Sequence, residues 1–209
     1  MSNYFNFFPK VLYTTDSKTG DVVKNVTARF NFEEKFKNNT AVCYDYDIQD
    51  SDTPEIIASK MYNDPEKHWI VLLFNDIFDP QFDWPMDYRT LISFMNEKFK
   101  EEANTNQSGL SWAQSNVRSY YKVETKTTLS TNTIVINKFE VDSNTYSTIT
   151  TTSNDVLLAS NNTIRIQISK QTQSHYDYEL ELNESKRRIK LLKPEFVTSV
   201  EEEFRRVIR

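Results

Sequence analysis

The sequence predicts an α+β protein, and three observations carry that prediction. Short runs of alternating apolar residues, the mark of half-buried strands, occur near the start of the chain and again through its middle. Between them lie two capped, proline-opened segments whose apolar residues fall three and four apart, the spacing of short amphipathic helices. A longer helical stripe closes the chain, after a stretch of different composition.

Residues 4–48 read as strands around turns. Tyr13 and the run Val22–Val26 flank Asp16-Ser17-Lys18-Thr19-Gly20-Asp21, a polar glycine-containing segment that predicts a hairpin loop. Phe30, Phe32 and Phe36 follow, and Asn38-Asn39 breaks the pattern. Val42, Tyr44, Tyr46 and Ile48 then alternate with Cys43, Asp45 and Asp47, which predicts a strand with one apolar and one polar face. Asp52 or Thr53 caps the next helix, with Pro54 at an early position where its missing N–H costs nothing. Ile57 and Met61 share one face of it. Asp64-Pro65 repeats the device ahead of Trp69, Ile70 and Leu73, and Asn75-Asp76 closes that helix. A third helix starts near Asp87 and carries Leu91, Ile92, Met95 and Phe99 at helical spacing.

From about residue 101 the composition turns to Ser, Thr, Asn and Gln. Alternating runs at Ile134–Ile136, Tyr146–Ile149, Ile164–Ile168 and Tyr176–Leu182 predict antiparallel strands with one wet face. The helical signal returns afterwards, so this stretch reads as an inserted β unit. Pro194 opens a last helix with Phe196, Val197, Val200, Phe204, Val207 and Ile208 on one stripe, supported by Glu201–Arg205 and Glu202–Arg206 four apart. The division is 1–48 N-terminal strands, 49–100 helical region, 101–185 inserted β unit, and 186–209 closing strand and C-terminal helix. A chain of 209 residues buries one good core, or a small domain with an elaborated second unit.

Composition narrows the function. A net charge of −5 and a pI near 5.2 argue against a nucleic-acid partner, which needs clustered Lys and Arg. The nearest basic cluster, Lys186-Arg187-Arg188 with Lys190 and Lys193, is interleaved with Ile189, Leu191 and Leu192 and reads as a strand with a charged outer face. Cys43 alone forms neither a disulfide framework nor a thiolate metal cage, which fits a reducing compartment. No signal peptide or membrane span is expected. Aromatic residues make up 13% of the chain while Gly20 and Gly109 are its only glycines, a balance that suits broad packing surfaces better than phosphate-cradling loops or nucleophile elbows.

Candidate chemistry is sparse. His68 and His175 are the only histidines, so a His/Cys metal site is nearly excluded and a Ser/His/Asp arrangement would depend on one of them. His68, just before Trp69, reads as a surface or packing residue. Asp76, Asp79, Asp83 and Asp87 suggest Ca²⁺ binding or an acid/base pair, but the stretch lacks the central glycine and terminal glutamate of an EF-hand loop. Pro80 and Pro85 point instead to a rigid extended connection, with Asp76 and Asp87 ending and capping helices. No catalytic residue, metal or cofactor is assigned. Phe78, Phe82 and Trp84 lie in that connection, either folded back on the core or presented to a partner.

The run Asp52-Thr53-Pro54-Glu55, Ile57-Ala58, Met61-Tyr62, Asp64-Pro65, Trp69 to Leu73 and Asn75-Asp76-Ile77 resembles the helix pair of a LysM module. Tyr4-Phe5-Asn6-Phe7-Phe8-Pro9, Tyr44-Asp45-Tyr46, Asp79-Pro80, Asp83-Trp84-Pro85, Tyr88-Arg89 and Ile189-Lys190-Leu191-Leu192-Lys193-Pro194 look like one family together with it. That family is the small LysM-like baseplate wedge subunit of contractile-tailed, T-even-type bacteriophages. The resemblance covers about 1–100 and 186–209.

The resemblance implies a non-enzymatic virion protein of the tail baseplate, assembled in the host cytoplasm. It implies that the subunit fastens neighbouring wedges into the inner baseplate ring through contacts with helical core proteins of the wedge and the sheath-initiating subunit, with neither nucleic acid nor membrane as partner. Tyr4, Phe5, Phe7, Phe8, Phe82, Trp84 and Arg89 are the candidate partner-binding residues. The alternative is a LysM module that binds peptidoglycan or another N-acetylglucosamine polymer. After Ile77, however, the chain offers a proline-pinned connection and a helix where a glycan-binding LysM has its closing strand, so that strand is expected from Arg188 to Leu192. A cell-wall hydrolase using the Asp76–Asp87 carboxylates is a third reading.

Overall fold

The computed structural model describes residues 6, 8–14, 20–27, 30–103, 106–158 and 163–208. They fall into two units, one of 1–87 with 183–209 and one of 88–182. Helices and antiparallel sheets are mixed throughout, as expected of the α+β class.

The first unit begins with strands β1 (Lys10–Thr14) and β2 (Gly20–Lys24), which form the expected hairpin with Leu12 opposite Val22. A short helix α1 (Glu34–Lys37) leads to β3 (Cys43–Asp47). Helix α2 (Pro54–Tyr62) starts where the sequence places it, with the Thr53 side chain accepting from Ile56 N and Pro54 in the first turn. Asn63, at φ 55°, ends it in the left-handed conformation that Asn tolerates. Asp64 caps a 3₁₀ turn (Pro65–Lys67) that runs into α3 (His68–Phe74).

Strand β8 (Arg188–Leu192) closes the core by pairing antiparallel with β3, Tyr44 opposite Leu191 and Tyr46 opposite Ile189. Pleating sends these four side chains to one face, where they meet Ile57 and Ala58 of α2 and Val71 of α3. The other face carries Asp45 opposite Lys190 and Asp47 opposite Arg188, the charged outer face expected of the basic run. Cys43 departs from the expected polar face: it is buried with Leu192, its thiol 3.3 Å from the Lys37 and Asn39 carbonyls. Helix α9 (Pro194–Ile208) lays Val197, Phe204 and Ile208 into a second cluster with Phe8, Phe32, Trp69 and Phe74. On its outer side Arg206 pairs with Glu203 and Glu201 reaches Lys67, in place of the Glu202–Arg206 pair expected from spacing.

The proline-pinned connection is not extended throughout. Pro80–Asp83 form one helical turn, α4, because Asp79 accepts from Gln81 N while its own N–H donates to the Asp83 carboxylate.

The second unit opens with α5 (Tyr88–Lys98), the expected third helix, and α6 (Gly109–Ser115), capped by Ser108. Its sheet has the order β5-β4-β7-β6, from β4 (Val117–Thr128), β5 (Thr133–Val141), β6 (Thr152–Leu157) and β7 (Thr163–Ser174), every pair antiparallel. Two runs expected as strands are helical. Tyr146–Ile149 belongs to α7 (Ser143–Thr148) and its C-cap, because the Asp142 carboxylate accepts from Asn144 N and Thr145 N. Tyr176–Leu182 lies in α8 (His175–Ser185), which crosses from the second unit back to the first. Ser174 and Asp177 bond reciprocally there, each side chain accepting the other's N–H, a capping box that sets the helix against the local alternation.

Candidate protein-binding surfaces

In the first unit the connection after α3 is fixed to the core at three points. The Trp84 indole N–H donates to the Asp52 carbonyl at 3.0 Å. The Lys186 ammonium donates to the Phe82 carbonyl at 2.6 Å. The Asn183 side-chain amide holds both backbone groups of Met86, accepting from its N–H at 2.7 Å and donating to its C=O at 2.9 Å. The Phe82 ring nevertheless stays 51% exposed. A large aromatic on a segment held this way has little loop freedom left to lose. Trp84, also a candidate anchor, is half-buried against the Ile57–Ile189 cluster and belongs to the mount.

Beneath this mount lies the Asp52 carboxylate, fully buried and accepting from the Tyr46 hydroxyl, Gln49 N and the Lys60 ammonium. Burial opposes its charge, but the bonds from Lys60 and Tyr46 outweigh that and hold its pKa below the usual carboxylate value. Tyr46 is pushed up to about 12 by burial and by the neighbouring carboxylate. Buried and paired with Lys60 and Tyr46, Asp52 reads as structural. The other carboxylates of interest are engaged similarly: Asp76 takes the buried Lys37 ammonium, and Asp79 and Asp83 complete the α4 cap. Among the described residues no His/Cys/Asp/Glu cluster suited to a metal is found.

The hairpin is the second surface. Every residue of β1 and β2 is exposed, and both faces are apolar: Leu12 and Val22 on one, Val11, Tyr13 and Val23 on the other. Leu12 is 69% exposed. The runs Val11-Leu12-Tyr13 and Val22-Val23 place apolar side chains on both faces of the strands, beside Lys10 and Lys24 on one and Asp21 on the other.

Phe8 is a core residue and no surface anchor. It is 6% exposed and meets Phe204 edge-on, ring centroids 6.1 Å apart. Tyr4, Phe5 and Phe7 lie outside the described residues. An apolar groove of about 280 Å³ opens between Phe30, Phe36, Val42, Phe196 and Val200.

In the second unit Arg89 is exposed on the first turn of α5. His175 packs against Trp112 and Phe99, centroids 5.0 and 5.2 Å away, and burial with the nearby Arg118 lowers its pKa. The sheet ends in two apolar edges, β5 with Ile134, Val135 and Ile136, and β6 with Val156 and Leu157.

Exposed apolar edges, a two-faced hairpin and a mounted aromatic describe a chain built for contact with other proteins. The comparison with known families decides which kind: the model described as base plate wedge protein 53 matches residues 3–207. The chain belongs to that family. It is a family of structural baseplate-wedge proteins of the phage tail. Among curated proteins, this member is similar to the baseplate wedge protein gp53 of Enterobacteria phage T4, 27% identical over 100 residues, which cover 46% of this chain and 51% of the relative. The match therefore spans about half of the relative's length. Nothing in the family match supports the glycan-binding alternative. No helix among the described residues is long and apolar enough to cross a membrane.

Proposed function

We propose that this family member is a non-catalytic connector that clamps neighbouring baseplate wedges into the inner ring. The observation that carries the reading is the β1–β2 hairpin, apolar and exposed on both faces. A lone two-stranded hairpin is marginal in water and gains stability only when a further strand or an apolar face covers it. Phe82 supplies a second, separately mounted anchor, and Arg89, Tyr4, Phe5 and Phe7 are further contacts in this account. With one surface engaged on one wedge, the next contact forms at a raised effective concentration, which is how a small subunit fastens a ring. The resemblance suggests helical core proteins of the wedge and the sheath-initiating subunit as the partners.

The order β3–α2–α3 with β8 closing the pair supports a LysM-like core used as scaffold. Asn183 on Met86 brings together the points where the chain leaves and re-enters the first unit, which supports reading the second unit as an insertion, with bounds of 88–182 in place of the expected 101–185. Amide exchange tests the connector role. The hairpin amides exchange rapidly in the free chain and become protected when it is assembled with purified wedge subunits of its own phage. Equal exchange in both states would remove the hairpin as a contact.

A further inference from the structure

We propose that copies of this chain join head to tail through their second units, the β5 edge of one copy pairing antiparallel with the β6 edge of the next. The order β5-β4-β7-β6 leaves those strands as the two edges of the sheet. Natural sheets blunt such edges with proline, charge or a covering element. Here both edges are exposed and neither strand contains proline; Ile136 on β5 is 64% exposed and Leu157 on β6 is 69% exposed. Strand directions alternate across the whole sheet, so β5 and β6 run opposite ways. A second copy set beside the first continues that alternation without a break.

Pleating restricts how the edges meet. Through the observed registers Ile134, Ile136 and Lys138 share a face with Asp155 and Leu157, while Val135 and Asn137 share the other with Asn154 and Val156. One register sets Leu157 opposite Ile134 of the neighbouring copy, Val156 opposite its Val135 and Asn154 opposite its Asn137. It also leaves Asp155 diagonal to the neighbour's Lys138, within reach of a long side chain. Ile134 and Val135 meet apolar side chains, Asp155, which is paired with Arg165 in its own copy, stands opposite Ile136, and no like charges are opposed. Pairing β5 with its own counterpart would leave Val156 and Leu157 uncovered. A contact between unlike edges also propagates around a ring, which a two-fold contact does not.

Sedimentation velocity of the full chain tests this, with Ile136→Asp, which sets a carboxylate opposite Asp155 of the next copy, blocking one edge and Leu157→Lys the other. Both side chains face solvent, and a circular dichroism spectrum checks the fold; Val135→Lys and Val156→Lys repeat the test from the opposite face of the same strands. Wild-type protein grows into oligomers with concentration. Each variant alone loses that growth, whereas an equimolar mixture forms a dimer and nothing larger, since one free β5 edge meets one free β6 edge. A monomeric wild type, self-association by either variant, a mixture that stays monomeric, or one that grows beyond a dimer would overturn the proposal.

Discussion

The side-chain amide of Asn75 binds both backbone polar groups of Lys190, accepting from its N–H and donating to its C=O, each at 2.8 Å. Asn75 ends α3 and Lys190 lies in the middle of β8, 115 residues further along the chain. An amide so placed acts as a one-residue strand: it satisfies the open side of β8, whose other side pairs with β3, and ties the closing strand to the helix pair. Asn75→Ala removes both bonds and is expected to destabilise the chain by about 1–3 kcal/mol. The check is a lower urea midpoint at unchanged denaturant slope.

Asp52 makes stability pH-dependent. Its folded pKa is depressed by Lys60, Tyr46 and Gln49 N despite burial, so the unfolded chain binds the proton more readily. The contribution is full above the unfolded Asp value of about 3.9 and is lost as pH falls through the folded pKa. Urea titrations from neutral pH into acid are expected to show stability falling on that limb, with the fall reduced in Asp52→Asn.

Gly109 is fixed by proximity. A Cβ there would stand 2.2 Å from the Asn96 carbonyl oxygen and 3.0 Å from the Phe99 carbonyl carbon, both backbone atoms of or just after α5. Gly109→Ala must move backbone to fit, an overpacking cost of about 1–3 kcal/mol. Thermal unfolding is the readout, followed by fluorescence in a Trp69→Phe, Trp84→Phe background that leaves Trp112, whose ring stacks on Phe99, as the reporter.

Phe8 and Phe82 separate core from surface. Phe8→Ala opens a hole against Phe204 and is expected to cost about 3–5 kcal/mol. Phe82→Ala removes an exposed ring and should stay within about 0.5 kcal/mol of wild type. Parallel denaturant curves for the two variants check the contrast.

Local chemistry made much of the first unit legible. Thr53-Pro54 and Asp64-Pro65 fix helix starts through side-chain caps and a preset φ, and the alternation of Val42 to Ile48 marks β3. The absence of a closing strand after Ile77 pointed to Arg188–Leu192, which is where β8 lies. In the second unit, the alternation of Tyr176, Tyr178, Leu180 and Leu182 with polar residues suggests a strand, while Ser174 and Asp177 form a capping box that starts a helix. Phe8 and Phe82 look alike in sequence; burial parts them because Phe8 reaches Phe204, far along the chain, whereas backbone bonds hold the Phe82 segment at the surface. Contacts such as Asn75–Lys190 and Asn183–Met86 leave no local pattern, since their partners are set by the tertiary fold.

The most direct measurement of the connector account is incorporation into reconstituted wedges of a Leu12→Lys, Val22→Lys variant, compared with wild type after its fold has been verified. These side chains are opposed on one face of the hairpin and stand 69% and 67% exposed, so charge there leaves the core intact. The account predicts a folded protein that fails to join neighbouring wedges. Incorporation and wedge joining at the wild-type level would contradict it.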